Sequence, residues 1–233
     1  MKKTIVIIFC YNVEDHIPAI LKEIKLLKLN KNKDFLFIDD NSTDKTNLII
    51  NDYNLQNSKI IFNKKNKGFG LNYKFSILYA IKKKYKKLIF LHGDNQYPIK
   101  KIQLIDNELN NASLSYGSRR LNISSMKKNM PTLRLIANII LTSFINFMLK
   151  NKSTEYFSGF RGLRVDELKK LNLNKFSNTW IIEQQIHFDF IKKKKLISEI
   201  AIPTVYKKSQ ISKIPPFKYV FSVILNTIKY SII

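Results

Sequence analysis

Phe35-Leu-Phe-Ile-Asp39-Asp40-Asn41-Ser42-Thr43-Asp44 is an apolar run that stops abruptly on a pair of carboxylates. Phe35–Asp39 reads as a buried strand, and the acids as a polar cluster at its carboxyl end. The same pattern recurs on either side. Thr4–Cys10 runs into polar Tyr11-Asn-Val-Glu14, and Lys59–Phe62 into the loop Asn63–Gly70. Leu88–Leu91 stops at His92-Gly-Asp94-Asn-Gln96-Tyr-Pro98, and Leu114–Ser118 at Arg119 and Arg120. Helix-period segments lie between them. Glu14–Leu27 spaces Ile17, Ile20, Leu21, Ile24 and Leu27 along one face, and Asp44–Tyr53 and Leu71–Lys83 follow. Strand–helix alternation predicts an α/β fold with a mostly parallel central sheet and helices on both faces. Such sheets bind ligands outside the carboxyl ends of their strands. The clusters at Asp39–Asp44, His92–Gln96 and Ser118–Arg120 are therefore expected on one edge.

The second half reads differently. Leu121–Pro131 is polar and reads as a loop. Arg134–Lys150 reads as one helix whose polar residues, Arg134, Asn138, Thr142, Asn146 and Lys150, recur every fourth position. They form one narrow stripe on an otherwise apolar cylinder. Phe217–Ile233 repeats the device with Lys218, Ser222, Asn226 and Lys229 or Tyr230. Such helices are either deeply buried or lie in a membrane interface. No uncharged stretch reaches the roughly 18 residues of a spanning helix. The domain reading is a catalytic unit over 1–213 and a membrane-associating amphipathic segment over 214–233.

Composition narrows the class. Apolar residues make up 45% and charged residues 25% of the 233, which is globular rather than disordered. The 41 Lys+Arg against 17 Asp+Glu leave a net charge of +24, which calls for an anionic partner. Part of this excess is compositional, since Lys, Asn and Ile are the residues an AT-rich genome favours. Cys10 is the only cysteine, so disulfide frameworks and thiolate metal clusters are excluded and a reducing compartment fits. No Cys/His finger, RNP-like strand or recognition helix supports a nucleic-acid partner. No Ser-His-Asp or Cys-His arrangement supports nucleophilic hydrolysis.

Among the candidate residues, Asp94 follows a strand directly and can hold a hard divalent cation, which in turn bridges phosphate oxygens. Asp39 and Asp40 can hydrogen-bond a base or a ribose. Taken singly, each of these acids is also an ordinary turn or helix-cap aspartate. Gly68-Phe-Gly70 opens a helix behind Lys64, Lys65 and Lys67, a place where backbone amides can cradle phosphate. It is neither a Walker loop nor a dinucleotide fingerprint. His187 sits in a helical pattern and reads as structural.

Taken in order, Tyr11-Asn-Val-Glu14, Phe37-Ile-Asp-Asp-Asn-Ser-Thr-Asp44, Asn66-Lys-Gly-Phe-Gly70, Leu91-His-Gly-Asp-Asn-Gln-Tyr-Pro98, Tyr116-Gly-Ser-Arg119 and Ser158-Gly-Phe-Arg161 resemble the family 2 glycosyltransferases. The branch they resemble most is that of the dolichol- and polyprenyl-phosphate hexosyltransferases. The resemblance spans about Thr4 to Lys213. It implies a GT-A nucleotide-diphospho-sugar transferase fold. It places Asp39 and Asp40 at the nucleobase and ribose, with Tyr11 and Glu14 nearby, and Gly68 and Lys213 also on the donor side. It implies Mg²⁺ or Mn²⁺ on His92, Asp94 and Gln96. His92 stands where the family has an aspartate, which tilts the expectation slightly toward Mn²⁺. Arg119 and Arg134 match residues that hold an acceptor phosphate, with Asn138 in place of a serine. Lys207-Lys-Ser-Gln-Ile-Ser212-Lys213 keeps the Ser-Lys of a donor-closing loop but lacks its Arg and Gly. Glu183 matches an acid facing the site, and as a bare sequence feature is equally an ordinary helix acid.

The reading implied is inverting transfer of a hexose from a nucleotide-diphospho-sugar to a polyprenyl phosphate. The location implied is the cytoplasmic face of the cell membrane, with the protein peripheral (monotopic) on its anionic surface. The alternative acceptor is a sugar hydroxyl of a surface polysaccharide or lipid-linked oligosaccharide, with Glu183 or His92 as base. A non-catalytic sugar-nucleotide binder and a nucleic-acid-binding protein are the remote alternatives. The sequence leaves the oligomeric state open.

Overall fold

The computed structural model describes residues 4–205 and 215–232. In chain order the elements are β1 (Thr4–Cys10), α1 (Ile17–Leu26), β2 (Asp34–Asp39), α2 (Thr46–Tyr53), β3 (Ser58–Phe62), α3 (Phe69–Lys82), β4 (Lys87–His92), α4 (Ile102–Glu108) and β5 (Leu114–Ser118). Then come α5 (Ile123–Asn129), α6 (Thr132–Leu149), β6 (Arg161–Arg164), α7 (Val165–Leu168), α8 (Ile182–Lys192), β7 (Ile197–Ala201) and α9 (Pro216–Ile232). One sheet runs in the order β3-β2-β1-β4-β6-β5-β7. Only β6 is antiparallel to its neighbours, so β2, β1, β4 and β5 end on the same edge.

The central strands are apolar on both faces because helices cover both. Val6 and Ile8 pack with α1, while Ile5 and Ile7 pack with α3 and α8, all essentially inaccessible to water. The strands read from sequence stand within a residue or so of their expected ends. β6 and β7 are additional, and antiparallel β6 makes the sheet mixed within the mostly parallel arrangement expected. Leu121–Pro131 is largely helical, contrary to the loop expected. Asn122 caps α5 by accepting from the Ser125 amide, and Met126 anchors it to the interior.

A separate cluster joins α6, α8 and α9 through Leu141, Ile145, Phe188 and Val223. Gln185 donates to Asn226 across the α8–α9 contact at 3.2 Å. Trp180 stacks on Tyr219 with ring centroids 4.6 Å apart. Residues 215–232 are thus packed onto the sheet domain. The expected boundary at 213/214 falls outside the described residues.

Candidate active site

The carboxyl edge gathers the loops that follow β1, β2, β4 and β5. The first two are laced together. The Asn12 amide donates to Ser42 Oγ, the Val13 amide to Thr46 Oγ1 and the Glu14 amide to Asp44 Oδ2. In return the Lys45 amide donates to Glu14 Oε2 and the Thr43 amide to Asn12 Oδ1. Asn12 and Asn41 take the left-handed conformation that these tight exits need, at φ 52° and 67°. Tyr11 is left exposed at the rim.

The paired aspartates are put to different uses. Asp40 accepts the Lys67 and Gly68 amides at 2.8 and 2.9 Å and the Asn63 side-chain amide at 3.0 Å. Burial pushes its carboxyl up, but these amides and the side chains of Asn72 and Asn63 outweigh it, and the net displacement is downward. Asp40 therefore pins the entry to α3, where Gly68 holds φ 82°, ψ 161°, a region open almost only to glycine. Asp39 accepts the Ser42 amide through Oδ1, while its buried Oδ2 has no partner among the described residues.

Because Asp40 titrates lower folded than unfolded, its stabilisation is complete above the unfolded carboxyl value near pH 4 and is lost as pH falls through the folded value. Asp40→Asn should lower stability by about 1–2 kcal/mol at neutral pH. The gap between variant and parent in urea midpoints should then shrink below about pH 4. A gap constant down to pH 2.5, to take a value well below the ordinary carboxyl range of about 3.9, would refute this account of the carboxylate.

After β4 the chain turns through Gly93, whose amide donates to Phe9 O at 2.8 Å, and Asn95 at φ 57°. The Gln96 amide donates to Asp94 Oδ1 at 3.1 Å. Tyr97 folds inward, and its hydroxyl accepts the Gly159 amide at 2.8 Å. Burial pushes the Tyr97 phenol up, and Arg119, Asp94 and Glu183 all lie close enough to act on it. Charges from three separate parts of the sequence thus act on one buried phenol.

Glu183 stands at the start of α8. The residue is partly exposed, but its Oε1 is shielded from water and has no partner among the described residues. Burial raises its pKa, with Arg161 and His92 acting in opposition. His92 points into an aromatic surround of Phe9, Phe69 and Tyr97. Its Nε2 is buried and unpartnered among the described residues, and a Cβ on Gly159 would come within 2.7 Å of it.

Arg119 is held by Glu155. Its backbone amide and Nε donate to the two carboxylate oxygens at 2.7 Å each, and Nη2 also pairs with Oε1. Glu155 is wholly buried and also accepts from Asn138 on α6 at 3.4 Å. Sequence reasoning missed Glu155, although an acid in the otherwise neutral run Ser153–Ser158 of so basic a chain was a usable signal. Arg134 is exposed on the first turn of α6, one turn before Asn138. Arg161 is fully buried and donates to the carbonyls of Tyr156, Ser158 and Glu183 and contacts His187 Nδ1 at 3.3 Å. Burial and the Arg161 charge hold His187 well below its usual value, so a neutral imidazole accepts this contact. Lys213 lies outside the described residues.

The chemistry of the donor set fits a hard divalent cation at the Asp94 carboxylate and Gln96 amide oxygen. It fits His92 less well, because the His92 Nε2 is turned to Gly159. Among the described residues no cluster of three His, Cys, Asp or Glu residues surrounds a common point.

A mixed α/β sheet with acids and arginines gathered on its carboxyl edge defines a nucleotide-sugar transferase of the GT-A fold. Residues 5–171 match the model of glycosyl transferase family 2, and the chain belongs to that family. No curated protein matches the sequence. Among solved structures, glucosyl-3-phosphoglycerate synthase from Mycobacterium tuberculosis in complex with uridine diphosphate superposes with TM-score 0.72 at 14% identity, covering 100% of this chain and 81% of that one. The same enzyme with Mn²⁺, uridine diphosphate and phosphoglyceric acid gives 0.73 at 12% identity, covering 99% and 78%. Its complex with Mg²⁺ and uridine diphosphate gives 0.72 at 12%, covering 100% and 80%. At such identities the likeness is one of fold.

Proposed function

We propose that this chain is an inverting, divalent-metal-dependent hexosyltransferase that moves a sugar from a nucleotide-diphospho-sugar to a polyprenyl phosphate at the cytoplasmic face of the membrane. The observation that carries it is the position of Asp39 and Asp40 at the end of β2 and of Asp94 just past the end of β4, the two strands that flank β1 on one sheet edge. Asp39, with its buried unpartnered oxygen, receives a donor group of the base or ribose. Asp40 fixes the Lys67–Gly68 loop beside it. A divalent cation on Asp94 and Gln96 would supply neutralisation of the charge that builds on the leaving diphosphate. An acceptor phosphate is already anionic, so it needs positioning rather than deprotonation. Arg134, exposed on the first turn of α6, and Arg119, oriented by Glu155, are assigned to this.

A second reading takes a sugar hydroxyl as acceptor. It is favoured by Glu183, whose shielded, upward-displaced carboxyl is suited to exchanging a proton with a hydroxyl. Some of the superposing synthase structures hold phosphoglyceric acid, a small phosphorylated hydroxy acid, so such an acceptor belongs in the same trial.

The test supplies radiolabelled UDP- and GDP-hexoses with polyprenyl phosphate in detergent, or with soluble sugars and phosphoglycerate. Label moving into the lipid phase supports the first reading, and label on a soluble hydroxyl replaces it with the second. Transfer to none of these by protein that binds no donor would overturn both.

A further inference from the structure

The helices α6 and α9 carry apolar residues on their outer as well as their inner faces. The stripe of α6 that turns inward carries Asn138 and Thr142 beside Leu141 and Ile145, and α9 buries Asn226 and Thr227 beside Val223. Asn138 Oδ1, Thr142 Oγ1 and Asn226 Nδ2 have no hydrogen-bond partner among the described residues. The outward stripe of α6 is Leu133, Ile136, Ile140 and Phe147, with Leu133 83% and Phe147 81% exposed. That of α9 is Phe217, Phe221, Leu225, Ile228 and Ile232, with Phe217 90% and Ile232 79% exposed. The two helices pack against each other. In water the outer stripes are unfavourable: large apolar side chains face solvent while polar groups are buried beside the inner apolar ones.

The charges identify the apolar medium. Neither helix contains an acid, and their charged residues are Arg134, Lys218 and Lys229. Neighbouring α5 adds exposed Lys127 and Lys128. A second copy of the chain would meet this face with the same basic rim and another +24 of net charge. An anionic lipid surface meets it with opposite charge, and each basic residue near the headgroups then favours binding. The placement of α6 fits an in-plane helix. Thr132–Leu149 is long and apolar enough to cross a membrane. Yet α5 before it and β6 after it belong to one folded domain, and spanning would put them on opposite sides.

We propose that the outward faces of α6 and α9 are a docking surface for an anionic lipid bilayer, with both helices lying in the membrane plane. The choice of a bilayer rests in part on the lipid-acceptor reading above. The exposed apolar stripes are independent of it.

The test is flotation of the full chain with vesicles of phosphatidylcholine containing about one third phosphatidylglycerol, and with phosphatidylcholine alone. The parent is expected to float with the anionic vesicles, less so at high salt. The triple variant Phe147→Ser, Phe217→Ser, Phe221→Ser alters exposed positions and should keep its melting temperature while partitioning at least about tenfold more weakly. A parent that stays in the soluble fraction, or a variant that floats equally, overturns the proposal. So does a solution dimer that the same changes dissolve while vesicles are ignored. Transfer to detergent-solubilised polyprenyl phosphate is read on the same preparations, so failure to dock is distinguished from failure of the acceptor reading.

Discussion

Asp94→Asn is expected to lower sugar transfer on the order of a thousandfold while leaving the melting temperature within a degree or two of the parent. The magnitude follows from the work asked of the site. Charge that develops on a leaving diphosphate in a low-dielectric cleft is the largest electrostatic demand of the reaction, and losing its compensation costs several kcal/mol. Asparagine keeps an oxygen in place for the Gln96 amide, now 3.1 Å from Asp94 Oδ1, so the turn after β4 survives. Asp94→Ala removes that acceptor as well and should lose both transfer and some local order. Calorimetry supplies the matching readout. Parent protein should bind one of UDP- or GDP-hexose with Mn²⁺ or Mg²⁺ and lose it in EDTA, and Asp94→Asn should bind as the parent does in EDTA. Undiminished transfer by Asp94→Asn would remove this residue from the chemistry.

The architecture on which that experiment rests was legible wherever tertiary and local signals agreed. Thr4–Cys10, Asp34–Asp39 and Lys87–His92 are buried on both faces, so their sequences are continuous apolar runs that no other element imitates. β6 was not legible because Arg161-Gly-Leu-Arg164 is four residues long with a cation at each end. Only the structure shows that the first of those cations is buried against three carbonyls. β7 lies at the sheet edge and mixes Ile197 and Ile200 with Ser198 and Glu199. Its short pattern has no clean period, because one neighbour and partial exposure impose none.

The gathering of strand-end acids on one edge was legible, and its wiring was not. Strand-end acids announce themselves by position. Which of two adjacent aspartates faces a ligand does not, because that depends on where residues 63–68, some two dozen positions away, come to rest. The four-residue stripes of α6 and α9 were visible too, but periodicity shows only that a helix has two faces, not which faces inward. That is decided by Glu155, wholly buried and hydrogen-bonded to Asn138, and by Gln185 reaching Asn226. These polar anchors lie among buried Leu141, Ile145 and Val223, so each helix has apolar residues on its inner face as well as its outer one, a pattern that periodicity alone does not resolve.

Gly70→Ala has the largest expected effect on the fold. A Cβ at Gly70 would sit 2.2 Å from the backbone carbon of Asn178 and 2.5 Å from the Thr179 nitrogen. A clash with backbone cannot be relieved by a side-chain rotation, so α3 or the segment before α8 must move. That segment has little freedom. Lys74 on α3 donates to Phe176 O at 2.6 Å and Asn178 Oδ1 at 2.7 Å, and the Ser177 amide donates to Gln185 on α8 at 2.7 Å. Breaking these contacts to admit one methyl group should cost at least about 4 kcal/mol, or roughly 10 °C of melting temperature for a chain of this size. Gly68→Ala is the contrasting control. Its Cβ would meet nothing within 4 Å among the described residues, and its φ of +82° is the strained feature, so about 1–3 kcal/mol is expected. The displaced segment also carries Trp180, stacked on Tyr219, and leads directly into Glu183. Gly70→Ala should therefore lose transfer even at temperatures where it remains folded, whereas Gly68→Ala should weaken donor binding beside Asp40 first. A Gly70→Ala protein that melts within two degrees of the parent, less than the roughly 1 kcal/mol of an ordinary surface change, would show that α3 and the 176–180 segment do not make this contact in solution.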